Sequence, residues 1–161
     1  MEKGINLNLS KSLIDFDELL GLSVQAISTK KFSLREEPEG IEIWPFQVGK
    51  YIKIENADDE SALFWIGYSW NENDNHDSLL WIEFDAKTCS DLWWDKLNKL
   101  IGTSGKYYSE ADFEFSKVYM NAWVHIYLKE EYLKPFYDEK TDWKMQKEIL
   151  AGFINEVLEK L

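Results

Sequence analysis

A single cysteine, a single arginine, two histidines and three prolines narrow the reading of this chain more than its common residues do. Cys89 alone forbids an intrachain disulfide and a cysteine-rich structural zinc site. Two histidines, His76 and His125, forbid a multi-histidine metal centre and leave general-base chemistry poorly supplied. Arg35 stands against 17 lysines, whereas phosphate and base-edge recognition favours the planar arginine fork. No apolar run approaches the roughly 20 residues that span a bilayer. Residues 1–10 lack the unbroken apolar core of a secretory signal, so a cytoplasmic protein without membrane contact is expected. With eight glycines and neither repeats nor low-complexity tracts, residues 1–161 are expected to form a single globular domain.

The excesses are aromatic and acidic. Phe, Trp and Tyr make up 16% of the chain, eight of them Trp, while the net charge is −12. A chain of this length buries about 70% of its unfolded surface, enough for one aromatic-rich core. Negative charge repels phosphate backbones and releases few counterions, which disfavours nucleic acid as a partner. The acid is also uneven. Residues 36–77 hold eleven Asp or Glu against Lys50 and Lys53, so three quarters of the net charge falls in about a quarter of the chain.

Periodicity divides the chain. Ser12 can cap a helix over 12–20, with Leu13, Phe16, Leu19 and Leu20 as its buried stripe and Gly21 as its stop. Residues 22–35 fit no single period and read as a loop with at most one strand. From Ile41 the period becomes two, giving β runs over 41–44, 51–55, 62–70 and 79–84. Turns are expected at 48–50 and 56–61, and a polar loop at 71–78. Ser90 and Asp91 then open a helix over 92–101, with Gly102 past its end. Strands follow at 113–118 and 122–128, a bend at Pro135, and a long helix capped by Thr141. The order α-ββββ-α-ββ-α predicts an α+β fold: a largely antiparallel sheet, a four-stranded meander plus a hairpin, packed by helices. In layout alone, residues 62–161 resemble accessory domains that follow the nuclease core in some prokaryotic defence proteins of the PD-(D/E)XK class.

Several short patterns invite chemistry. Asp85-Ala86-Lys87 after an apolar strand matches the second half of a restriction-type nuclease motif, with Asp58 or Asp59 as the other Mg²⁺ ligand. The same D/E-x-K pattern recurs at Asp138 and Asp142, and roughly three matches are what this composition produces by chance. Asn71, Asn73, Asn75 and Asp77 alternate as calcium-loop ligands do, but His76 and Ile82 stand where such a loop needs Gly and Glu. Cys89 near a helix start lacks a paired base. Residues 102–106 superficially match a phosphate loop yet follow a helix instead of a strand, so a helix stop and turn is expected. No catalytic residue, metal ligand or cofactor is assigned from these patterns.

The meander makes a spatial prediction. Successive hairpins alternate ends, so Glu36, Glu37 and Glu39 should share one end of the sheet with Asp58, Asp59 and Glu60. Asp91 should return near them, while Glu72, Asp74 and Asp77 fall at the opposite end. Alternation puts Trp123, His125 and Tyr127 on one strand face, opposite Val124, Ile126 and Leu128. The expectation is a non-enzymatic module that binds a basic protein, such as an inhibitor or immunity factor against a basic toxin, nuclease or defence protein. The alternatives are a metal-dependent nuclease or phosphodiesterase-like domain, and a small-ligand pocket beside Trp123 and Tyr127. Oligomeric state is not legible in the sequence.

Overall fold

The aliphatic and aromatic alternation of the strand segments folds into one antiparallel sheet of seven strands. The computed structural model describes residues 7–27, 32–37, 42–44, 47–57, 59, 62–71, 74–86, 90–118, 121–137 and 142–161. The strands are β1 (Leu34–Glu36), β2 (Glu42–Trp44), β3 (Gln47–Ile54), β4 (Leu63–Asn71), β5 (Asp74–Asp85), β6 (Phe113–Val118) and β7 (Asn121–Tyr127). Their spatial order is β1-β3-β4-β5-β7-β6, and β2 pairs with the same β3 that carries β1. Leu34 faces Ile54 and Glu42 faces Gly49, so β1 and β2 form successive parts of one edge. β6 and β7 form the hairpin whose inner strand joins β5. The chain is α+β with helices flanking an open sheet, as its periodicity predicts.

Among the described residues four α-helices complete it: α1 (Leu7–Gln25), α2 (Asp91–Leu100), α3 (Glu130–Tyr137) and α4 (Trp143–Glu159). Their buried residues, among them Leu20, Leu97, Leu133 and Phe153, join one cluster with Ile52, Phe64, Ile82, Val124 and Ile126 of the sheet. That cluster defines a helix-covered face. Each aliphatic side chain it removes from water contributes about 1.5–3 kcal/mol before the entropy of ordering is subtracted. Ser90 opens α2 by accepting the Trp93 amide at 3.2 Å, and Asp91 adds negative charge to the first turn. Tyr108, fully buried, reaches the Thr103 hydroxyl at 2.9 Å and so places its one polar atom.

Six expectations need correction. α1 starts at Leu7, so Ser12 lies within it instead of capping it, and it runs through Gly21 to Gln25, because Leu19, Leu20 and Val24 continue its buried stripe. A Cβ on Gly21 would lie 3.2 Å from the Glu36 carboxylate, so this glycine admits a neighbour instead of ending a helix. The segment expected as a loop with one strand thus ends α1 and contains β1. Residues 48–50 are not a turn but part of β3, with Val48 and Gly49 paired on both sides and Lys50 paired to β4. Of the polar stretch expected as a loop, Asn71 continues β4 and residues 74–78 continue β5, with Asn71 facing Asp74; a backbone ladder needs no apolar side chains there. Pro135 lies inside α3, whose Leu133 is buried and whose Pro135 carbonyl accepts from Gln146 Nε2 of α4 at 3.0 Å. Asp142, not Thr141, caps α4 through the Met145 amide.

Candidate functional site

The second face of the sheet is aromatic as well. Trp65 and Trp81 are 4% and 7% exposed, yet neither belongs to the cluster beneath the helices. Register explains how this face is built. Tyr51, Trp65, Glu83, His125 and Glu114 succeed one another across β3, β4, β5, β7 and β6. The next row holds Gly49, Gly67, Trp81 and Tyr127. The Trp65 indole lies flat across the two glycines: a Cβ on Gly49 would approach its ring to 2.2 Å, and one on Gly67 to 2.4 Å. No side chain other than hydrogen leaves that space.

From Trp65 the rings continue. Trp81 lies 4.8 Å from Trp65 and 4.4 Å from His125 between centroids, and stacks on Tyr127 at 5.8 Å. His125 lies 4.2 Å from Trp123. At such spacings the rings touch, so Trp123, His125 and Tyr127 pack into a layer with Trp81 and leave no ring-sized gap among themselves. His125 Nε2 meets Glu83 Oε2 at 2.7 Å, and the Tyr127 hydroxyl donates to Glu114 Oε2 at 3.1 Å. Four buried side-chain polar atoms lack a partner among the described residues, and two of them, Trp81 Nε1 and His125 Nδ1, are neighbours in this layer.

Negative charge surrounds the rings. The Tyr51 hydroxyl has its pKa raised by burial first, and then by the carboxylates of Glu83, Glu42 and Asp85. Tyr127 is pushed in the same direction by burial, by Glu114 and by Glu83. Three strands thus bring acids from distant parts of the sequence to one face. Asp85 stands directly across from Trp123 in the β5–β7 register. Sequence reasoning placed the aromatic row of β7 but not its acidic neighbours, because the order β5-β7 is set by a crossover through α2 that leaves no mark in local periodicity.

The acids expected at the sheet terminus divide. Asp59 accepts the Ser90 amide at 2.6 Å, one residue before Asp91, so these two share a corner at the start of α2. Glu36 sits opposite Ile52, on the helix-covered face, where its carboxylate holds Lys50 at 2.7 Å. Glu37 donates its amide to the Tyr51 carbonyl and lies 3.7 Å from Arg35, which also pairs with Glu55. Glu36 is therefore engaged by a buried cation and Glu37 by a surface one, and a sequence offers no sign of which carboxylates pair within the chain. Glu39, Asp58, Glu60 and Glu72 lie outside the described residues, as do Lys87 and Cys89.

The remaining patterns resolve locally. Of the calcium-like stretch, Asn71 ends β4 and Asn75 and Asp77 lie in β5, whereas Asn73 lies outside the described residues. After α2, Gly102 turns the chain at φ +82°, and the amides of Lys106 and Tyr107 donate to the Glu156 carboxylate at 2.6 and 2.9 Å. An acid already occupies the place a phosphate would need. Among the described residues no three His, Cys, Asp or Glu side chains gather as metal ligands, and no helix is long and apolar enough to cross a membrane. The chain matches no protein-family model, and no curated protein or solved structure is significantly similar to it.

Proposed function

We propose that this protein is a non-enzymatic, cytoplasmic binding module for a basic protein, of the inhibitor or immunity type that neutralises a toxin, nuclease or defence protein. The observation that carries this reading is the convergence of Glu42, Glu83 and Asp85 on Tyr51, on a sheet face to which no described helix contributes buried residues. Acidic surfaces speed encounter with a cationic partner, and aromatic anchors then supply the contact energy. The corner formed by Asp59 and Asp91 extends the same negative potential to one end of the sheet.

The test is affinity capture from the native host, followed by stopped-flow association with the captured protein. Association should slow about tenfold between low and physiological salt, and by a similar factor in the double variant Glu42→Lys, Asp91→Lys. A partner with an acidic surface, or a rate indifferent to both salt and charge reversal, overturns the proposal.

A further inference from the structure

We infer that β6 is the contact surface for a second copy of this chain: the two β6 strands pair antiparallel across a two-fold axis and continue the sheet. The inference concerns self-association and holds whatever partner the open face binds. The two edges of the sheet differ. β1 and β2 share one edge as strands of 3 residues each, and α1 is tied to it through Lys50, which bridges Asp17 and Glu36. β6 forms the other edge over Phe113–Val118 and pairs with β7 alone. The Ala86 amide donates to Ala122 and the Leu128 amide to Leu80, so even residues of β7 are turned to β5 and odd ones to β6. In the β6–β7 register, Glu114 and Ser116 then bond to β7. Phe115 and Lys117 turn amide and carbonyl to the outer side, together with the Phe113 carbonyl. No described strand lies there.

Side chains and charge favour the same strand of a second copy as the occupant. Phe115 and Val118 are 46% and 68% exposed, large apolar residues on one short edge. A lysine on an edge strand ordinarily repels a second strand. Lys117 is instead drawn over the Phe115 ring at 5.4 Å and donates to Asn98 of α2, toward the helix-covered face. A pairing centred on Phe115 sets that ring against Phe115 of the second copy. It exchanges about four N–H···O bonds, Phe115 to Phe115 and Lys117 to the Phe113 carbonyl, in both directions. It also sets Glu114 against Ser116, so no like charges meet directly. A centre at Ser116 would set Glu114 against Val118 and part the two rings. Glu114 and Lys117 cancel within the strand. The acidic segment 36–77 builds β2, β3 and β4, and β4 lies three strand spacings, about 14 Å, from β6. That exceeds the screening length of about 8 Å at physiological salt. The end of the segment enters β5 outside Trp81–Asp85, the stretch that pairs with β7. A cationic strand would gain no countercharge at this neutral edge, whereas a copy of β6 matches it.

The experiment is sedimentation equilibrium of the full chain, paired with amide hydrogen exchange at low and high protein concentration. The mass should rise from 19.1 kDa toward twice that value as concentration increases. Exchange at the Phe115 and Lys117 amides should slow about tenfold in the dimer, while Glu114 and Ser116, already bonded to β7, keep one rate. Phe115→Glu opposes two carboxylates at the axis and should weaken the dimer about tenfold or more. Lys117→Pro removes an amide that β7 does not use and should do the same. Far-UV circular dichroism checks both variants, and either decides if the other unfolds. A chain that stays monomeric up to about 1 mM overturns the inference. So does a folded Phe115→Glu variant that dimerises as well as the native chain, or protection that spares Phe115 and Lys117. If those two amides are protected only by a captured basic protein, the edge belongs to that partner and self-pairing is wrong.

Discussion

Gly49→Ala is expected to lower stability by about 3 kcal/mol, at the upper end of what overpacking costs. The added methyl would sit 2.2 Å from Trp65 Cζ2 and 2.6 Å from the Ile66 carbonyl, inside the central part of the sheet. The indole cannot slide away, because Trp81 holds its other side. Trp65→Ala alone should cost about 3 kcal/mol by leaving a ring-sized void over the glycines. In that background, Gly49→Ala should cost only about 1 kcal/mol, since the ring is gone and only the carbonyl remains in the way. Urea unfolding followed by far-UV circular dichroism measures all four corners of this cycle. Additive costs would mean that Trp65 does not lie on Gly49.

The same glycine shows where local reading of this chain reaches its end. In sequence, Val48-Gly49-Lys50 looks like a turn, because glycine between β runs is most often a chain reversal. Only the β3–β4 register reveals that Trp65, one row away, needs the missing side chain. Gly21 misleads for the same reason, with the Glu36 carboxylate in place of the indole. By contrast, α2, β6 and β7 stand within a residue or two of their expected limits, since their caps and alternation are written in adjacent residues. The β7 aromatic row was legible at the same level. Its companions Glu83, Asp85 and Trp81 were legible as strand residues but not as neighbours of that row, because strand order across a helical crossover is a property of the whole sheet. The acidic excess was visible as a total; its division between free surface and internal ion pairs was not.

Lys50 is the clearest case of that division, and Lys50→Met carries the second large expected effect. Its side chain is 8% exposed and lies between Asp17 of α1 at 2.6 Å and Glu36 of β1 at 2.7 Å. It points to the helix-covered face because Val48, Ile52 and Ile54 alternate with it there, all fully buried. Removing one partner from a buried ion pair costs about 3–5 kcal/mol. Asp17 and Glu36 remain 39% and 33% exposed, and water would take up part of their charge, so a loss of about 2–3 kcal/mol is expected. The pH dependence follows from the lysine itself. Burial lowers its pKa, but the hydrogen bonds to Asp17 and Glu36 and their charges outweigh burial, and the net shift is upward. A pKa raised in the fold gives stability that is complete below the unfolded value of about 10.4 and disappears as pH rises through the folded one. Tyr51, Tyr108 and Tyr127 are also raised, so the native chain should weaken above about pH 10 as four groups together favour the unfolded state. The gap between native and Lys50→Met stability should therefore be constant through neutral pH and narrow in that alkaline window. A gap that stayed constant to pH 12, or a Met variant as stable as the native chain at pH 7, would show that the three charges do not hold α1 to the sheet edge.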